Sequence, residues 1–452
     1  MNSASLAEFY LNLLLQLLAT PTGIVALFLG IVLAIATVTV PALRWWCVAG
    51  AIYVSTLPIN AVNYREGDFY VPLAFPLEQI RLYARPLTLF FLAMLVLPFL
   101  ASAKGWRTKV ISLPLALFFL FQVCLALRLA VIGGGGRGVL SLMSYGLLML
   151  TFGVAVGRWL QSLEDVYKLL YAICGAGGMV VVATCYQLTV NRSPIMAGNR
   201  LSGVTGNPQF LAVILAITIP IACLLMLQGR KSLRPVFAAL VAVGVVLLIW
   251  TGSRTGMLGL LTGVLVLFHR RIARFLLAVI VVGALIYFAL PIFEGSTINL
   301  SRFVSTENTR QVQWEYMANQ FTENVWMGAA RGEMNVVENS YLSMLGQLGI
   351  VGTLPFIAAM IVLLYQTVRL QLSAKLLGPQ RQLVELMTAF WATVAITAMF
   401  EGFLLGVLVF AVLLIYLFAG MTKYLSDHVA AVRQEEQAPE YEAVEPWQVA
   451  TI

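Results

Sequence analysis

Charge is what this sequence has least of. Only 11% of its 452 residues are Asp, Glu, Lys or Arg, while 60% are hydrophobic. A water-soluble domain carries about 25% charged residues, so an ordinary soluble globular protein is excluded. Histidine is almost missing: His269 and His428 are the two in the chain. There is no Walker-type glycine loop, no zinc-ligand spacing and no cysteine pair. The five cysteines, Cys47, Cys124, Cys174, Cys185 and Cys223, all fall inside apolar runs. An odd number with none in a loop argues against a disulfide framework or a thiolate metal site, and they read as packing residues. Short alternating segments of the kind a barrel needs are lacking too. Met1–Thr20 has no basic leader and carries Glu8, which argues against a secretory signal.

What the sequence has is apolar runs of roughly 20 residues, each long enough to cross a bilayer as a helix. A spanning backbone must satisfy its own hydrogen bonds, so the expected fold is all-α and polytopic. Spans are expected near 23–40, 42–59, 83–101, 110–132, 139–157, 167–189, 208–227, 235–251, 256–268, 275–293, 340–365, 384–400 and 403–421. That is about 13, within an expected range of about 12–14 transmembrane helices. The first break rests on Pro41 and Arg44, and 256–268 is short. Leu6–Ala19 reads as an interfacial helix or a short span ended by Pro21-Thr22-Gly23.

The net charge of +8 would suggest nucleic acid in a soluble protein, but here the excess sits in short loops and reads as topology. Lys104, Arg107 and Lys109 fill one loop, and Arg230, Lys231 and Arg234 another. Arg270, Arg271 and Arg274 follow, then Arg369, Lys375 and Arg381. With these spans the four loops fall on one side of the membrane, which the positive-inside rule makes cytoplasmic. The opposite face then carries Asn60–Leu82, Gly133–Arg137, Val190–Asn207, the turn at Ser253-Arg254, and Glu294–Asn339. The last is the longest and least apolar stretch before the tail, with Glu294, Glu307, Glu315, Glu323, Glu333 and Glu338 against Arg302, Arg310 and Arg331. Trp314, Met317, Phe321 and Val325 recur in it at helical spacing, which predicts an amphipathic helix from near Thr309 lying over the membrane surface. The acidic tail is expected to be cytoplasmic and disordered. The chain thus divides into an interfacial segment 1–22, N-terminal spans 23–190, a membrane core 191–421 with loop 294–339, and a polar tail 422–452.

With both histidines on the cytoplasmic side, a base on the outer face must be a carboxylate. Glu338 stands where the loop enters the next span, and a partly desolvated carboxylate suits a general base near neutral pH. The same position also suits a capping carboxylate at a helix N-terminus. Arg254 sits in Thr251-Gly252-Ser253-Arg254-Thr255-Gly256, a tight outer turn. Its planar fork matches phosphate oxygens, and small neighbours leave room for a bulky ligand. An interfacial arginine snorkelling to headgroups has the same pattern. Arg200 precedes Asn207-Pro208, which most simply starts a helix. Arg128 lies inside a span near its outer end, where intramembrane charge and snorkelling compete. Glu401-Gly402 reads equally well as a plain turn.

Taken in order, Arg200-Leu201-Ser202-Gly203, Asn207-Pro208, Ser253-Arg254, Arg310 with Trp314, and Asn339-Ser340-Tyr341-Leu342 with Gly349 and Gly352 form a pattern over roughly Arg200 to Val362. It resembles the O-antigen polymerase/ligase family of bacterial membrane glycosyltransferases. The resemblance implies a GT-C-like helical fold and transfer of a glycan from a polyprenyl diphosphate carrier without metal or other cofactor. It implies that Arg254 and Arg310 hold the diphosphate and that Glu338 activates the acceptor hydroxyl. Arg200, Ser253, Asn339, Arg302 and Arg331 would line the substrate. Ligases of the family typically have histidine at the position of Glu338, so a polymerase of lipid-linked repeat units is the better match. A ligase moving a finished glycan to lipid A–core is the alternative, and a flippase of lipid-linked sugars the third. The expected partners are the carrier-linked glycan, membrane lipid, a flippase and a chain-length regulator, with no nucleic acid. The expected location is the bacterial inner membrane, with the active face periplasmic.

Overall fold

The computed structural model describes residues 32–33, 35–57, 72–101, 111–133, 135–197, 199–271, 310–329, 338–406 and 408–437. They are overwhelmingly helical. The chain runs through α1 (Pro41–Ser55), α2 (Leu77–Leu82), α3 (Ala84–Ala101) and α4 (Leu113–Gly133). Next, α5 (Gly135–Leu148) passes through a wide π-helical turn, Met149–Ala155, into α6 (Val156–Trp159). After α7 (Leu163–Val190), a two-residue hairpin pairs β1 (Met196–Ala197) with β2 (Arg200–Leu201). Then come α8 (Pro208–Gln228), α9 (Arg234–Trp250), α10 (Arg254–Leu267) and α11 (Gln311–Glu323). Three long helices close the series: α12 (Ser340–Ser373), α13 (Arg381–Ala398) and α14 (Phe410–Gln437).

By length and composition, seven helices among the described residues can cross a membrane: Leu113–Val131, Gly138–Trp159, Leu163–Val190, Pro208–Gln228, Lys231–Trp250, Ser340–Gly378 and Phe410–Gln434. Ala84–Leu100 and Arg254–Leu267 are apolar but shorter. The chain is therefore an all-α, multi-pass membrane protein. Of the remaining expected spans, 42–59 corresponds to the 15-residue α1, which begins where Pro41 takes the first helical position, a place where its missing N–H costs nothing. The span expected at 384–400 is α13, which carries Arg381 and the buried Glu385. The run 275–293 and most of 23–40 lie outside the described residues, as do 1–22 and most of the loop 294–339.

Two boundaries differ from expectation. The span expected from 403 starts at Phe410, because Phe403–Leu405 forms a separate short turn and Leu408 takes a positive φ of 56°. The polar tail expected from 422 is helical as far as Gln437. Lys423 pairs with Asp427 one turn on, at 2.6 Å, and Arg433 donates to Ser373 Oγ at 2.8 Å. The first contact supports the helix along its own face, and the second holds the extension against the end of α12. The remainder of the tail is outside the described residues.

Small residues set how closely the central helices approach. A Cβ at Gly256 of α10 would lie 2.3 Å from Ala212 Cβ, and one at Gly259 would lie 2.6 Å from Thr397 Cγ2. At Gly263 it would meet Thr393 Oγ1 at 2.7 Å. This stripe seats α10 between α8 and α13, the close packing that lipid-embedded helices achieve with small residues. Thr393 Oγ1 donates to Gly259 O at 3.1 Å across the same seam. The N-terminal end of α10 is thereby fixed beside the C-terminal end of α13.

The two ends of the bundle differ chemically. At one end Arg270 and Arg381 flank the buried Glu385 at 3.4 and 3.5 Å, and Arg44 lies over the Trp159 ring. Arg230 and Arg433 are tied in at the same end, through Tyr171 and Ser373. Three of the four basic loops read from the sequence thus reach this end in part; the loop of Lys104, Arg107 and Lys109 and residue Arg274 are outside the described residues. The opposite end gathers the hairpin, the α9–α10 turn, α11, and the start of α12.

Candidate functional site

The floor of the site is the turn between α9 and α10. Gly252 takes a φ of +60°, which lets the chain reverse within three residues. Ser253 then caps α10, its Oγ accepting from Gly256 N at 3.1 Å. Its own N–H donates to Thr251 Oγ1 at 3.1 Å. The hairpin is fastened to the same turn, for Arg200 Nε donates to Thr251 O at 2.8 Å. Arg254 is the first helical residue and is exposed. A capped helix start with an exposed arginine presents both backbone dipole and guanidinium to an anion.

Above this turn three distant segments meet. Arg310 is the N-cap residue of α11. Its Nη2 donates to Glu401 Oε1 at 2.7 Å, its Nη1 donates to Phe400 O, and its Nε lies 3.6 Å from Glu338 Oε2. Glu338 Oε2 is buried and makes no hydrogen bond. The side chain of Glu401 is 7% exposed. Burial is the largest influence on its carboxyl, pushing its pKa up from 4.5 to about 7. The charge of Glu338 pushes the same way, while Arg310 and a hydrogen bond from Thr255 oppose. Thr255 follows Arg254 in α10, so the Glu401 carboxyl joins the α10 turn to Arg310.

The start of α12 completes the arrangement. Asn339 Oδ1 accepts from Tyr341 N and Leu342 N, both at 3.0 Å, and so caps the helix. Ser340 Oγ donates to Glu401 O at 2.5 Å, and Leu404 N reaches the same hydroxyl at 3.3 Å. The Ser340 hydroxyl thus ties the carbonyl of Glu401 to the short turn that follows it. Trp314, one turn into α11, packs on Phe400 with ring centroids 5.9 Å apart.

A break in α12 locks the loop in place. Gly349 has a φ of +62° inside the helix and Gly328 a φ of +75° in the loop. The two backbones touch: a Cβ on Gly349 would fall 2.4 Å from Trp326 C, and one on Gly328 2.4 Å from Gln347 C. The break turns helix donors and acceptors outward to the loop. Ile350 N donates to Val325 O, Val351 N to Trp326 O, and Ala329 N to Gly346 O, at 2.9, 3.1 and 2.8 Å.

Of the residues singled out in the sequence, Arg310, Glu338, Asn339 and the Ser253-Arg254 turn converge here. Arg200 stands one contact away, through Thr251. Ser253 and Asn339, expected to touch substrate, use their side chains as helix caps. Arg302 and Arg331 lie outside the described residues. The predicted amphipathic helix is present as α11, with Met317 fully buried and Trp314 and Phe321 partly so.

Glu401 is the residue that sequence reasoning left as a plain turn. A signal was available, since it is the one charged residue between Glu385 and Lys423. An acid isolated in so long an apolar stretch needs a partner. Among the described residues no three His, Cys, Asp or Glu side chains come together as a metal would require. No protein-family model matches this chain, and a search of curated proteins finds none that matches it.

Proposed function

We propose that this chain is a membrane glycosyltransferase that joins polyprenyl-diphosphate-linked repeat units into a polysaccharide, working on the face opposite the basic end. The observation that carries this reading is the convergence of Arg310, Glu338 and Glu401 above the Arg254 turn. The positive-inside rule makes the basic end cytoplasmic and puts that cluster outside. The reading also takes the helical bundle as GT-C-like, with 294–339 as its periplasmic loop.

The chemistry asks little of such a site. A sugar–diphosphate bond carries its own leaving group, so no acid is needed to protonate it. What must be stabilised is the charge growing on the departing diphosphate, a task for preorganised cations. Arg254, exposed at the start of α10, takes one phosphate, and Arg310 takes the other. Arg310 faces Glu401 at 2.7 Å, and an incoming diphosphate competes with that carboxylate. Burial pushes the Glu401 carboxyl up to about 7, which favours uptake of a proton by Glu401 and release of Nη2 when a diphosphate arrives. Glu338 keeps Oε2 without a hydrogen bond and accepts the proton of the attacking sugar hydroxyl. Attack opposite the leaving diphosphate is a single displacement that inverts the anomeric carbon. The apolar flanks of the spans accommodate the polyprenyl chain.

The test is reconstitution of the purified protein with carrier-linked repeat unit as sole substrate. Chain growth without a second membrane component is expected, and loss of it in Arg254→Ala and Arg310→Ala with normal protein yield. Polymer of normal length from Arg254→Ala refutes the assignment. Transport of the intact carrier-linked unit without growth points to a flippase, and transfer of a finished glycan to a different acceptor points to a ligase.

A further inference from the structure

The outer loop has an apolar edge that the glycosyl-transfer chemistry does not use. Trp326 and Met327 are 66% and 62% exposed, although their backbones are pinned into the break of α12. Their neighbours across that break are exposed apolar residues of a helix long and apolar enough to span a membrane. Val351, Leu354, Ile357, Ile361, Leu364 and Val368 are all exposed and recur every three or four positions, one stripe along α12. Trp326 O accepts from Val351 N, so the loop's exposed pair continues the stripe at its upper end.

The height of that end follows from the chain itself. Gly349 lies twenty positions before Arg369. Twenty residues of α-helix rise about 30 Å, the thickness of the hydrocarbon core. With Arg369 at the basic boundary, the break and Trp326 fall at the opposite one, the depth where tryptophan is enriched. The exposed face of α11, by contrast, is mixed, with Gln311, Glu315, Asn319 and Glu323 beside Val312 and Tyr316.

We propose that Trp326 and Met327 are seated in the headgroup–acyl boundary of the bilayer, with lipid as their partner, and that this contact fixes the height of α11 and Arg310 over the membrane. The loop is then held twice, by backbone bonds to the α12 break and by lipid at its apolar edge.

The experiment compares tryptophan quenching in wild-type protein and Trp326→Phe, both reconstituted in phosphatidylcholine vesicles. The difference signal reports Trp326 alone. Lipids brominated near the top of the acyl chain are expected to remove most of it, and lipids brominated near the chain end much less. The double variant Trp326→Phe/Met327→Trp is expected to restore a lipid-quenched signal. Quenching by aqueous iodide in place of bromolipid overturns the proposal by placing the pair in water. Quenching by neither overturns it too, since protein then covers the pair, and stronger quenching from the chain end rules out a boundary position.

Discussion

Replacing Glu401 by Gln removes the group on which the cluster turns, and its effect on stability has a sign and a size. Burial lifts the Glu401 carboxyl from 4.5 to about 7, so the folded protein holds this proton more tightly than the unfolded chain does. Below about pH 4 both states are protonated and the group contributes no difference. As pH rises from there toward 7, the unfolded chain ionises first, and the folded state loses stability relative to it. Above 7 both are ionised and the loss levels off. Each unit of difference is worth about 1.4 kcal/mol, so the full loss is about 3 kcal/mol. Glutamine does not titrate and escapes it. Thermal unfolding of wild type and Glu401→Gln, in one lipid nanodisc composition from about pH 5 to pH 8, measures the gap. The wild type is expected to fall behind the variant by a few degrees across that interval. Three further substitutions fix the cause by direction. Arg310→Ala and Thr255→Val remove groups that favour the ionised form, so the transition moves to higher pH. Glu338→Gln removes a like charge and moves it lower. A gap that stays constant from pH 5 to pH 8 would refute the reasoning, as would a shift in the same direction for all three.

Other expected outcomes follow from single contacts. Gly349→Ala puts a Cβ against the Trp326 backbone at a positive φ with extended ψ, which costs about 1–3 kcal/mol for the backbone conformation alone. Lower thermal stability and faster proteolysis within 325–329 check it. Glu385→Gln at the basic end leaves Arg270 and Arg381 without their shared carboxylate. A loss of about 1–3 kcal/mol is expected, read as reduced thermal stability, with the Glu401 titration unchanged because the two clusters occupy opposite ends. In the polymerisation assay, Glu338→Gln is expected to lower turnover greatly, and recovery of full turnover at higher pH would show that the carboxylate is not the base.

How much of this was legible in the sequence depended on whether a residue declares its partner. Helices declare themselves through long apolar runs, and Pro41 and Asn207-Pro208 mark two starts where the structure has them. The α11 helix was readable from Trp314, Met317 and Phe321 because its buried face repeats at the helical period. The break at Gly349 was not, since a glycine in an apolar run is as common in a straight membrane helix. Its left-handed φ exists because Trp326 and Gly328, more than twenty positions away, press against it. The start of the last span was misplaced for a related reason: Phe403-Leu404-Leu405 is apolar enough to span, but it packs as a short turn against Ser340. Glu401 is the sharpest case. Its position among apolar residues called for a partner, but nothing local says that the partner is Arg310, 91 residues earlier. Ser253 and Asn339 show the converse. Their residue types fit both ligand contact and helix capping, and only the hydrogen bonds to Gly256, Tyr341 and Leu342 tell which use the backbone makes of them.

The position of the α12 break bears on what kind of protein this is. A discontinuous helix is a device of transporters, where the break lies near the bilayer midplane and its half-helix ends face the substrate. Here twenty residues separate Gly349 from Arg369, enough to cross the whole hydrocarbon core before the break is reached. The exposed backbone groups are also answered by Val325, Trp326 and Ala329, leaving none of those three bonds for a translocating ion or sugar. The break therefore serves to dock the loop that carries Arg310, at the depth that the proposed reaction on a lipid-linked diphosphate requires. Charge follows the same rule, because Arg254, Arg310, Glu338 and Glu401 all belong to turns or helix starts at that end. A path for a solute needs polar groups at successive depths; a headgroup enzyme needs them at one. The arrangement of these four residues is of the second kind, which favours transfer at the surface over passage through it.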